Sequence, residues 1–384
     1  MTLPTFLAHP RPVTFRKSAP TILILAAAIA ILAVTGVSQH LTSGLLESSR
    51  DGDYQLMQQI VAHTLKSAEE KSLNRAELVA SFPAVRAAFL AHDRAKLLAE
   101  CAKMYEIQRV KHGLEQATFH VPPGAAFLRL QDPAKFGDDE SSYRVMLADA
   151  YENKAVRSGT SITRGGPAIL GIVPIFDDAG KLAGTFETGL SFAPLLDRMK
   201  EAYGLESVVF FDEKELRSRA PELPGDVITS KNRVGRFIRY HATQTQLATD
   251  LVTDRDVETN DVKRYTRDVA GTLWGVELLP LYSYSHQQIG VVAVATSFGE
   301  DRSLARRAQV WVFLAAVFAI VLLAGMILVV VRGLLLAPVA ALGERMAALA
   351  DGDASKPADP PETYCAELQP LAESYERIRK EKAE

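Results

Sequence analysis

Residues 117–150 read ATFHVPPGAAFLRLQDPAKFGDDESSYRVMLADA, and residues 158–192 read SGTSITRGGPAILGIVPIFDDAGKLAGTFETGLSF. Both stretches contain short runs in which apolar and polar residues alternate, as expected of strands with two different faces. Turn residues separate the runs, at Pro122-Pro123-Gly124 and at Asp177-Asp178-Ala179-Gly180. The pattern therefore predicts antiparallel strands joined by tight turns. A helix is predicted between them over Ser141–Glu152, with Asp138 or Asp139 at its N-cap.

Polar and charged side chains occupy strand positions where apolar residues are expected. Buried charges are costly unless they are paired or bound to a ligand. The guanidinium of Arg129 can bind a carboxylate through two parallel hydrogen bonds. Arg164 lies in a glycine-rich loop that could close over the bound carboxylate. Glu187 could orient Arg129 or bind an amine. The predicted ligand-binding residues are His120, Arg129, Tyr143, Arg144, Arg164 and Glu187. The alternatives are that Arg129 and Glu187 pair on a solvated face, that His120 is structural, and that Arg144 only extends along its helix.

The chain also contains an internal repeat. Val173-Pro174-Ile175-Phe176, Gly184 and Ser191-Phe192 recur as Leu279-Pro280-Leu281-Tyr282, Gly290 and Ser297-Phe298, at a constant shift of 106 residues. Proline cannot donate to a strand ladder, so it predicts an edge or a bulge at the same place in two similar sheets. His120, Arg129 and Glu187 have no evident counterparts in the second copy. Its Arg236, Arg239 and His241, near Lys263, Arg264 and Arg267, are predicted to be structural or to lie on a solvated basic surface.

Two apolar segments, 21–37 and 310–331, are predicted to cross a membrane. The first is preceded by basic residues and could also be a cleaved signal peptide. If it is retained, the basic flank places the N-terminus in the cytoplasm and residues 38–309 outside. The 384 residues carry a formal net charge of −3 without a concentrated basic face, which argues against a nucleic-acid partner.

Helical patterns flank the strands. A long amphipathic helix is expected over residues 38–80, with Met57, Val61, Leu65 and Ala68 on its buried face. Ser81-Phe82-Pro83 should end it, and a second helix should run over residues 84–112. Cys101 is expected to be a buried, inert thiol in that helix, and Cys365 falls on the other side of the membrane, so no disulfide is implied.

The C-terminal part predicts two short helices joined by an extended connector. Apolar residues recur there at the three-four spacing of a heptad seam. They are Val339, Leu342, Met346 and Leu349 in the first helix, and Leu368, Leu371, Tyr375 and Ile378 in the second. Two such helices can bury their seams in a four-helix bundle contributed by two chains, which predicts a homodimer.

Residues 333–384 resemble a HAMP domain, through Pro338, the Leu-Ala-Asp-Gly-Asp end of the first helix and Glu367-Leu368. Residues 127–147 and 171–192, with the repeat, resemble the double Cache sensor domains of bacterial chemoreceptors of the methyl-accepting chemotaxis type. The resemblance implies an α+β fold of two tandem Cache (PAS-like) modules on a long N-terminal helix, flanked by two transmembrane helices and a HAMP hairpin. The implied regions are a cytoplasmic N-terminus (1–20), a first span (21–37), a periplasmic sensor (38–309; helix 38–80, membrane-distal module 81–205, membrane-proximal module 206–305), a second span (310–331) and HAMP (332–384).

The resemblance implies an inner-membrane receptor that binds a small, anionic metabolite in its membrane-distal module. It would relay the signal to cytoplasmic signalling proteins of chemotaxis type. The sequence ends after HAMP, so the output is expected beyond this sequence or in another chain. Two alternatives stay open, the input half of a histidine kinase or nucleotide cyclase, and a membrane scaffold that binds a periplasmic protein. No phosphate loop, zinc-type His pair, nucleophile elbow or calcium loop is recognisable, so neither an enzyme, a cofactor nor a metal site is predicted.

Overall fold

The computed structural model describes residues 15–360 and 363–383, without the side chains of 15–20, 42, 43, 45, 46, 300–306, 334 and 383. Most of the predicted cytoplasmic N-terminus therefore lies outside the described residues. The chain forms two compact units, residues 47–302 and residues 1–46 with 303–384. The first is a mixed unit of helices and two antiparallel sheets, and the described part of the second is helical.

The N-terminal helix α1 runs without interruption over Phe15–Ser81. It ends where predicted, since Pro83 begins the next helix. The predicted buried face is confirmed, because Met57, Val61 and Ala68 are almost fully buried. Within α1, the stretch Thr21–Leu41 is long and apolar enough to cross a membrane.

The predicted helix over residues 84–112 is instead two helices, α2 (Pro83–Leu90) and α3 (Arg94–His112). The Asp93 side chain accepts a hydrogen bond from the backbone N–H of Lys96 and so caps a new helix start. The predicted end is confirmed, because Gly113 adopts the left-handed conformation that ends α3. Cys101 is buried, and burial raises the pKa of its thiol to about 12, in agreement with an inert thiol.

The first module is built on a five-stranded antiparallel sheet of order β2-β1-β5-β4-β3. Its strands are β1 (Leu114–Val121), β2 (Ala125–Arg129), β3 (Arg157–Thr163), β4 (Gly166–Phe176) and β5 (Leu182–Leu190). Helix α4 (Val145–Asn153) covers one face, and α5 (Ala193–Tyr203) follows the sheet. Helix α4 begins four residues later than predicted. Neither predicted aspartate caps it, because its N-cap position is Arg144.

The two faces of this sheet have different chemistry. Phe119 and Phe186 stack with ring centroids 4.2 Å apart in the core that also contains Phe89 and α1 residues. The helix α1 approaches very closely here, since a Cβ on Gly171 would lie 2.4 Å from the backbone nitrogen of Leu73. The predicted alternation is confirmed, because Thr118 and Glu187 are register partners on the opposite face, under α4.

The second module has a six-stranded antiparallel sheet of order β7-β8-β6-β11-β10-β9. Its strands are β6 (Glu206–Asp212), β7 (Arg233–Val234), β8 (Phe237–Ala242), β9 (Lys263–Val269), β10 (Thr272–Tyr282) and β11 (Gln288–Ser297). Its short helices are α6 (Glu213–Arg219), α7 (Thr245–Leu251) and α8 (Asp254–Val257). The basic side chains of β9, which were predicted to form a solvated surface, are instead paired with carboxylates. Lys263 and Arg267 pair with Asp256, and Arg264 pairs with Glu277.

Strand register confirms the internal repeat. Pro174 pairs with Thr185, and Pro280 pairs with Val291, which is the same register after the shift of 106 residues. Pro174 lies beyond the last β4 residue that pairs with β3, and Pro280 lies beyond the last β10 residue that pairs with β9. A β-bulge follows shortly after each proline, as the chemistry of proline predicted. The inner strands repeat as well, since a bulge follows Phe119 in β1 and Val209 in β6.

The described C-terminal helices are α9 (Gly299–Leu328), a π-helical segment (Val329–Leu336), α10 (Ala337–Ala350) and α11 (Gln369–Ala383). A second stretch long and apolar enough to cross a membrane begins at Arg307. Helices α10 and α11 pack around Leu342, Leu349 and Tyr375. Three of the eight predicted seam residues are therefore buried within one chain, and Leu368 packs against them.

Candidate functional site

A network of buried charges lies on the α4 face of the first sheet. Five residues form it, and we call it the charged network: Arg129, Asp138, Glu140, Arg144 and Glu187. Arg129 ends β2, Glu187 is in β5, and Glu140 and Arg144 come from the segment that leads into α4. Every member except Asp138 is buried.

Arg129 is fully engaged by neighbouring carboxylates. Its two terminal nitrogens donate to the two oxygens of Asp138 at 2.7 Å each, and Nη2 also donates to Glu140 Oε1 at 2.6 Å. These carboxylates hold the pKa of Arg129 above its usual range although burial opposes this. Asp138 and Glu140 therefore occupy the guanidinium that the sequence analysis assigned to a ligand carboxylate, and ligand binding by Arg129 stays a prediction.

Arg144 joins the two halves of the network. Its Nη1 donates to Glu140 Oε2 at 2.7 Å and to Glu187 Oε1 at 2.8 Å, and Nη2 donates to Glu187 Oε2 at 2.6 Å. Glu187 therefore orients Arg144, whereas the sequence analysis expected it to orient Arg129. Glu140 serves both arginines. Burial raises the pKa of Glu140, but the adjacent His120 and Arg144 lower it by more, to well below its usual range.

His120 is fully buried on β1 beside this network. Its Nε2 lies 3.5 Å from Glu140 Oε2, and neither ring nitrogen makes a hydrogen bond within the described part of the chain. His120, Glu140 and Glu187 place potential metal ligands within 4.8 Å of one another. The guanidinium groups of Arg129 and Arg144 already occupy the carboxylate oxygens and would repel a cation. The geometry therefore fits an ion-pair network better than a metal centre.

A cavity of about 210 Å³ opens beside the charged network, and we call it the polar cavity. Strand β1, the β3–β4 turn and the charged network supply most of its wall. Its lining residues are Glu115, Gln116, Thr118, Arg129, Gln131, Asp132, Glu140, Arg144, Thr163, Arg164, Gly165, Glu187 and Glu222. Five of these residues are carboxylates and three are arginines. The lining is therefore acidic on balance.

The structure brings some of the predicted site residues into this cavity and leaves others outside it. Arg129, Arg144, Arg164 and Glu187 line it, whereas His120 and Tyr143 do not. Arg164 lies at the β3–β4 turn, with Nε 3.2 Å from Glu222 Oε1. The Tyr143 hydroxyl is buried, and burial raises its pKa.

Several residues of the site were not predicted. Asp138 was predicted as a possible helix N-cap and Glu140 was not assigned to the site, although the two arginines nearby required carboxylate partners. Gln116 and Thr163 are ordinary strand residues, and nothing in their local pattern marks them. Glu222 belongs to the second module and lies 58 residues from Arg164, so no local pattern connects the two.

The family dCache_3, described as the double sensory domain of two-component sensor kinase, matches residues 51–298. No curated protein matches the chain. The chain is also similar in fold to an extracellular ligand binding receptor from Desulfohalobium retbaense, with 12% identity and a TM-score of 0.36 over 62% of this chain. That alignment spans only 39% of the receptor chain.

Two further solved structures are sensor domains. The ligand-binding domain of the Campylobacter jejuni chemoreceptor Tlp3, in complex with 4-methylisoleucine, is 12% identical with a TM-score of 0.32 and covers 74% of this chain and 93% of that one. The sensor domain of the V. cholerae histidine kinase DctB is 8% identical with a TM-score of 0.38 and covers 65% of this chain and 98% of that one. At such low similarity these structures add nothing to the family match.

Proposed function

Because this chain belongs to dCache_3, the family of double sensory domains of two-component sensor kinases, we propose that it is the sensory part of a membrane receptor. Its first module binds a small molecule in the polar cavity. The second module is a structural copy that does not bind this ligand. Sensing by one copy of a duplicated module requires that the two copies differ at the binding face.

The observation that supports this proposal most strongly is the difference between the two sheets at equivalent positions. Thr118 pairs with Glu187 in the first sheet, and the equivalent pair in the second sheet is Val208 with Ala293. The next pair on this face, His120 with Thr185, becomes Phe210 with Val291. The framework is therefore kept, while the polar residues of these two pairs are replaced by apolar ones. A purely structural role explains the framework but not the buried polar face.

The charges of the polar cavity favour a ligand that carries an ammonium group. Its two buried arginines are already neutralised by Asp138, Glu140 and Glu187, and the carboxylates of the lining outnumber its arginines. A cavity of about 210 Å³ is smaller than the roughly 300–1,000 Å³ common for drug-sized ligands. We therefore propose a small amine or amino acid, in place of the anionic metabolite that the sequence suggested.

The membrane arrangement belongs to the same proposal. Segments 21–37 and 310–331 cross the inner membrane, residues 38–309 lie in the periplasm, and residues 332–384 form a HAMP domain. Two helical stretches of sufficient length and apolarity support this arrangement. The signal passes to a cytoplasmic output of chemotaxis type. The output of a histidine kinase is the second candidate, favoured by the description of the family.

The exposed half of the C-terminal seam supports a homodimer. Val339, Met346, Leu371 and Ile378 are between 36% and 46% exposed, although they belong to the same two heptad seams as the buried Leu342, Leu349 and Tyr375. A second copy could cover this stripe in a four-helix bundle.

Isothermal titration of the full chain in detergent tests the ligand class. The probes are putrescine, L-alanine and succinate, which carry two ammonium groups, one ammonium and one carboxylate group, and two carboxylates. We expect at least one of the amine-bearing probes to bind and succinate to give no heat. Binding of succinate alone, or of none of the three, would contradict the proposal.

A further inference from the structure

The wall of the polar cavity is not supplied by the first module alone. Glu222 lines the cavity, and it belongs to the loop that follows α6 in the second module. We propose that Glu222 contacts the ligand and determines its specificity, so that the ligand site is shared between the two modules. This inference rests on the proposed function, because it assigns one residue of the proposed site to recognition of the ligand ammonium group.

The loop is held against the first module by backbone contacts. The backbone N–H of Glu222 donates to the carbonyl of Arg164 at 3.0 Å. One residue on, Leu223 lies so close to Gly166 that a Cβ on this glycine would be 2.9 Å from its Cδ1 atom. Arg219, at the end of α6, donates to the carbonyl of Tyr143 at 3.2 Å. These contacts fix the position of the Glu222 backbone at the cavity wall.

The Glu222 carboxylate differs from the buried carboxylates of the charged network. Its contacts are longer, 3.2 Å to Arg164 Nε and 3.5 Å to Lys135 Nζ, and its side chain is 28% exposed. Glu140 and Glu187 are almost fully buried and are held by guanidinium groups at 2.6–2.8 Å. A ligand ammonium group would have to break short, buried ion pairs to use Glu140 or Glu187. At Glu222 it needs only to join a looser, partly solvated pair.

The shared wall also explains how binding in the first module can reach the second. A ligand held between Glu222 and the first module strengthens the contact between the α6 loop and the β3–β4 turn. Helix α6 follows β6 directly, and β6 pairs with β11, the last strand of the second sheet. The ligand therefore acts on both modules and not on the first module only.

Glu222→Gln in the full chain tests the inference, because it removes the charge and keeps the shape of the side chain. Glu213→Gln is the matched control, since Glu213 lies in α6 of the same module and pairs with Arg217 and Arg233 without lining the cavity. Both variants and the unsubstituted chain are titrated with putrescine and L-alanine. We expect Glu222→Gln to weaken binding of the amine-bearing probe about tenfold or more, since hydrogen bonds to charged groups are the stronger ones. Glu213→Gln should bind like the unsubstituted chain.

The melting temperature separates recognition from folding. We expect it to be the same for Glu222→Gln and Glu213→Gln, because Arg164 keeps Asp138 at 3.8 Å and the backbone contacts of the loop remain. Equal affinity of Glu222→Gln and the unsubstituted chain for every probe would overturn this inference alone. Binding of no probe by the unsubstituted chain would overturn the proposed function together with the inference.

Discussion

At the scale of single residues, Glu140 connects the whole charged network. It accepts hydrogen bonds from Arg129 and Arg144 while being only 3% exposed. A buried ion pair adds little compared with apolar packing, but removing one partner leaves an uncompensated buried charge. Loss of Glu140 would therefore destabilise the chain mainly because the buried charges of Arg129 and Arg144 would lose a partner, and less because the attraction of Glu140 itself is lost.

Glu140→Gln should lower the free energy of unfolding by about 3 kcal/mol, because the charges of Arg129 and Arg144 lose their shared partner. Urea denaturation followed by circular dichroism measures the change. Glu106→Gln is the control, since Glu106 forms an exposed pair with Arg109. We expect no measurable change in the control. A Glu140→Gln variant as stable as the control would show that the network is not buried.

The same residue predicts a pH dependence. The pKa of Glu140 is lower in the folded chain than in the unfolded one, where a glutamate has a pKa of about 4.3. Its stabilising contribution is therefore complete above about pH 5 and is lost as the pH falls below the unfolded pKa. The difference in unfolding free energy between the unsubstituted chain and Glu140→Gln should be constant between about pH 5 and 7 and should shrink towards pH 3. A difference that grows on acidification would contradict the assigned pKa direction.

Residue-scale reasoning from the sequence located the polar face but mispaired its members. Arg129 and Glu187 were recognised because charges at alternating strand positions are unusual, and Arg144 was predicted on the helix between the strands. Their partners depend on the loop before α4, where Asp138 and Glu140 stand in an acidic run that also suits a helix cap. The spacing of these residues does not distinguish a helix cap from an ion-pair partner of an arginine, because both require a carboxylate at the same place in the chain.

At the scale of elements, two equivalent glycines allow the strands to approach each other. A Cβ on Gly184 would lie 2.2 Å from the carbonyl oxygen of His120, and a Cβ on Gly290 would lie 2.2 Å from that of Phe210. Both glycines belong to the repeated framework, and their neighbours occupy equivalent places in β1 and β6. The repeat therefore conserves a steric requirement as well as a pattern of strands.

Gly184→Ala should destabilise the chain by about 1–3 kcal/mol, because the added methyl group forces β1 and β5 apart. Gly225→Ala is the matched control, since nothing lies within 4 Å of a Cβ at that loop position. Chemical denaturation of both variants measures the effect. Equal stability of the two variants would contradict the close approach of β1 and β5.

The alternation of apolar and polar residues was sufficient to predict the strands and turns of the first module. The same reasoning missed the break between α2 and α3, because neither glycine nor proline occurs between Leu90 and Arg94. His92 adopts a positive φ of 55° there, and Asp93 caps the next helix. Asp93 was thus the available signal, but a single aspartate inside a helical pattern is weak evidence for a break.

At the scale of the whole molecule, the repeat was predictable and the cavity wall shared by the two modules was not. The shift of 106 residues was visible in the sequence because framework residues recur in order. The approach of Glu222 to Arg164 depends on how the loop after α6 packs against the β3–β4 turn. A contact of this kind between two modules produces no repeating sequence pattern in either segment.

The proposed homodimer predicts that Met346→Glu weakens self-association at least about tenfold, because a charge would be buried in the seam without a partner. Sedimentation velocity in detergent measures the fraction of dimer. Ala347→Glu is the control, since Ala347 is exposed and outside the heptad seam. A dimer that persists equally in both variants would exclude this seam as the dimer interface.

In the proposed function, the first module binds the ligand at a polar face that has no equivalent in the second module. The most direct measurement is titration of the full chain with the amine-bearing probe, comparing Thr118→Leu with Val208→Leu, substitutions at equivalent positions of the two sheets. The proposed function predicts that Thr118→Leu abolishes binding by filling the polar cavity, whereas Val208→Leu binds like the unsubstituted chain. Loss of binding in Val208→Leu with binding retained in Thr118→Leu would contradict it.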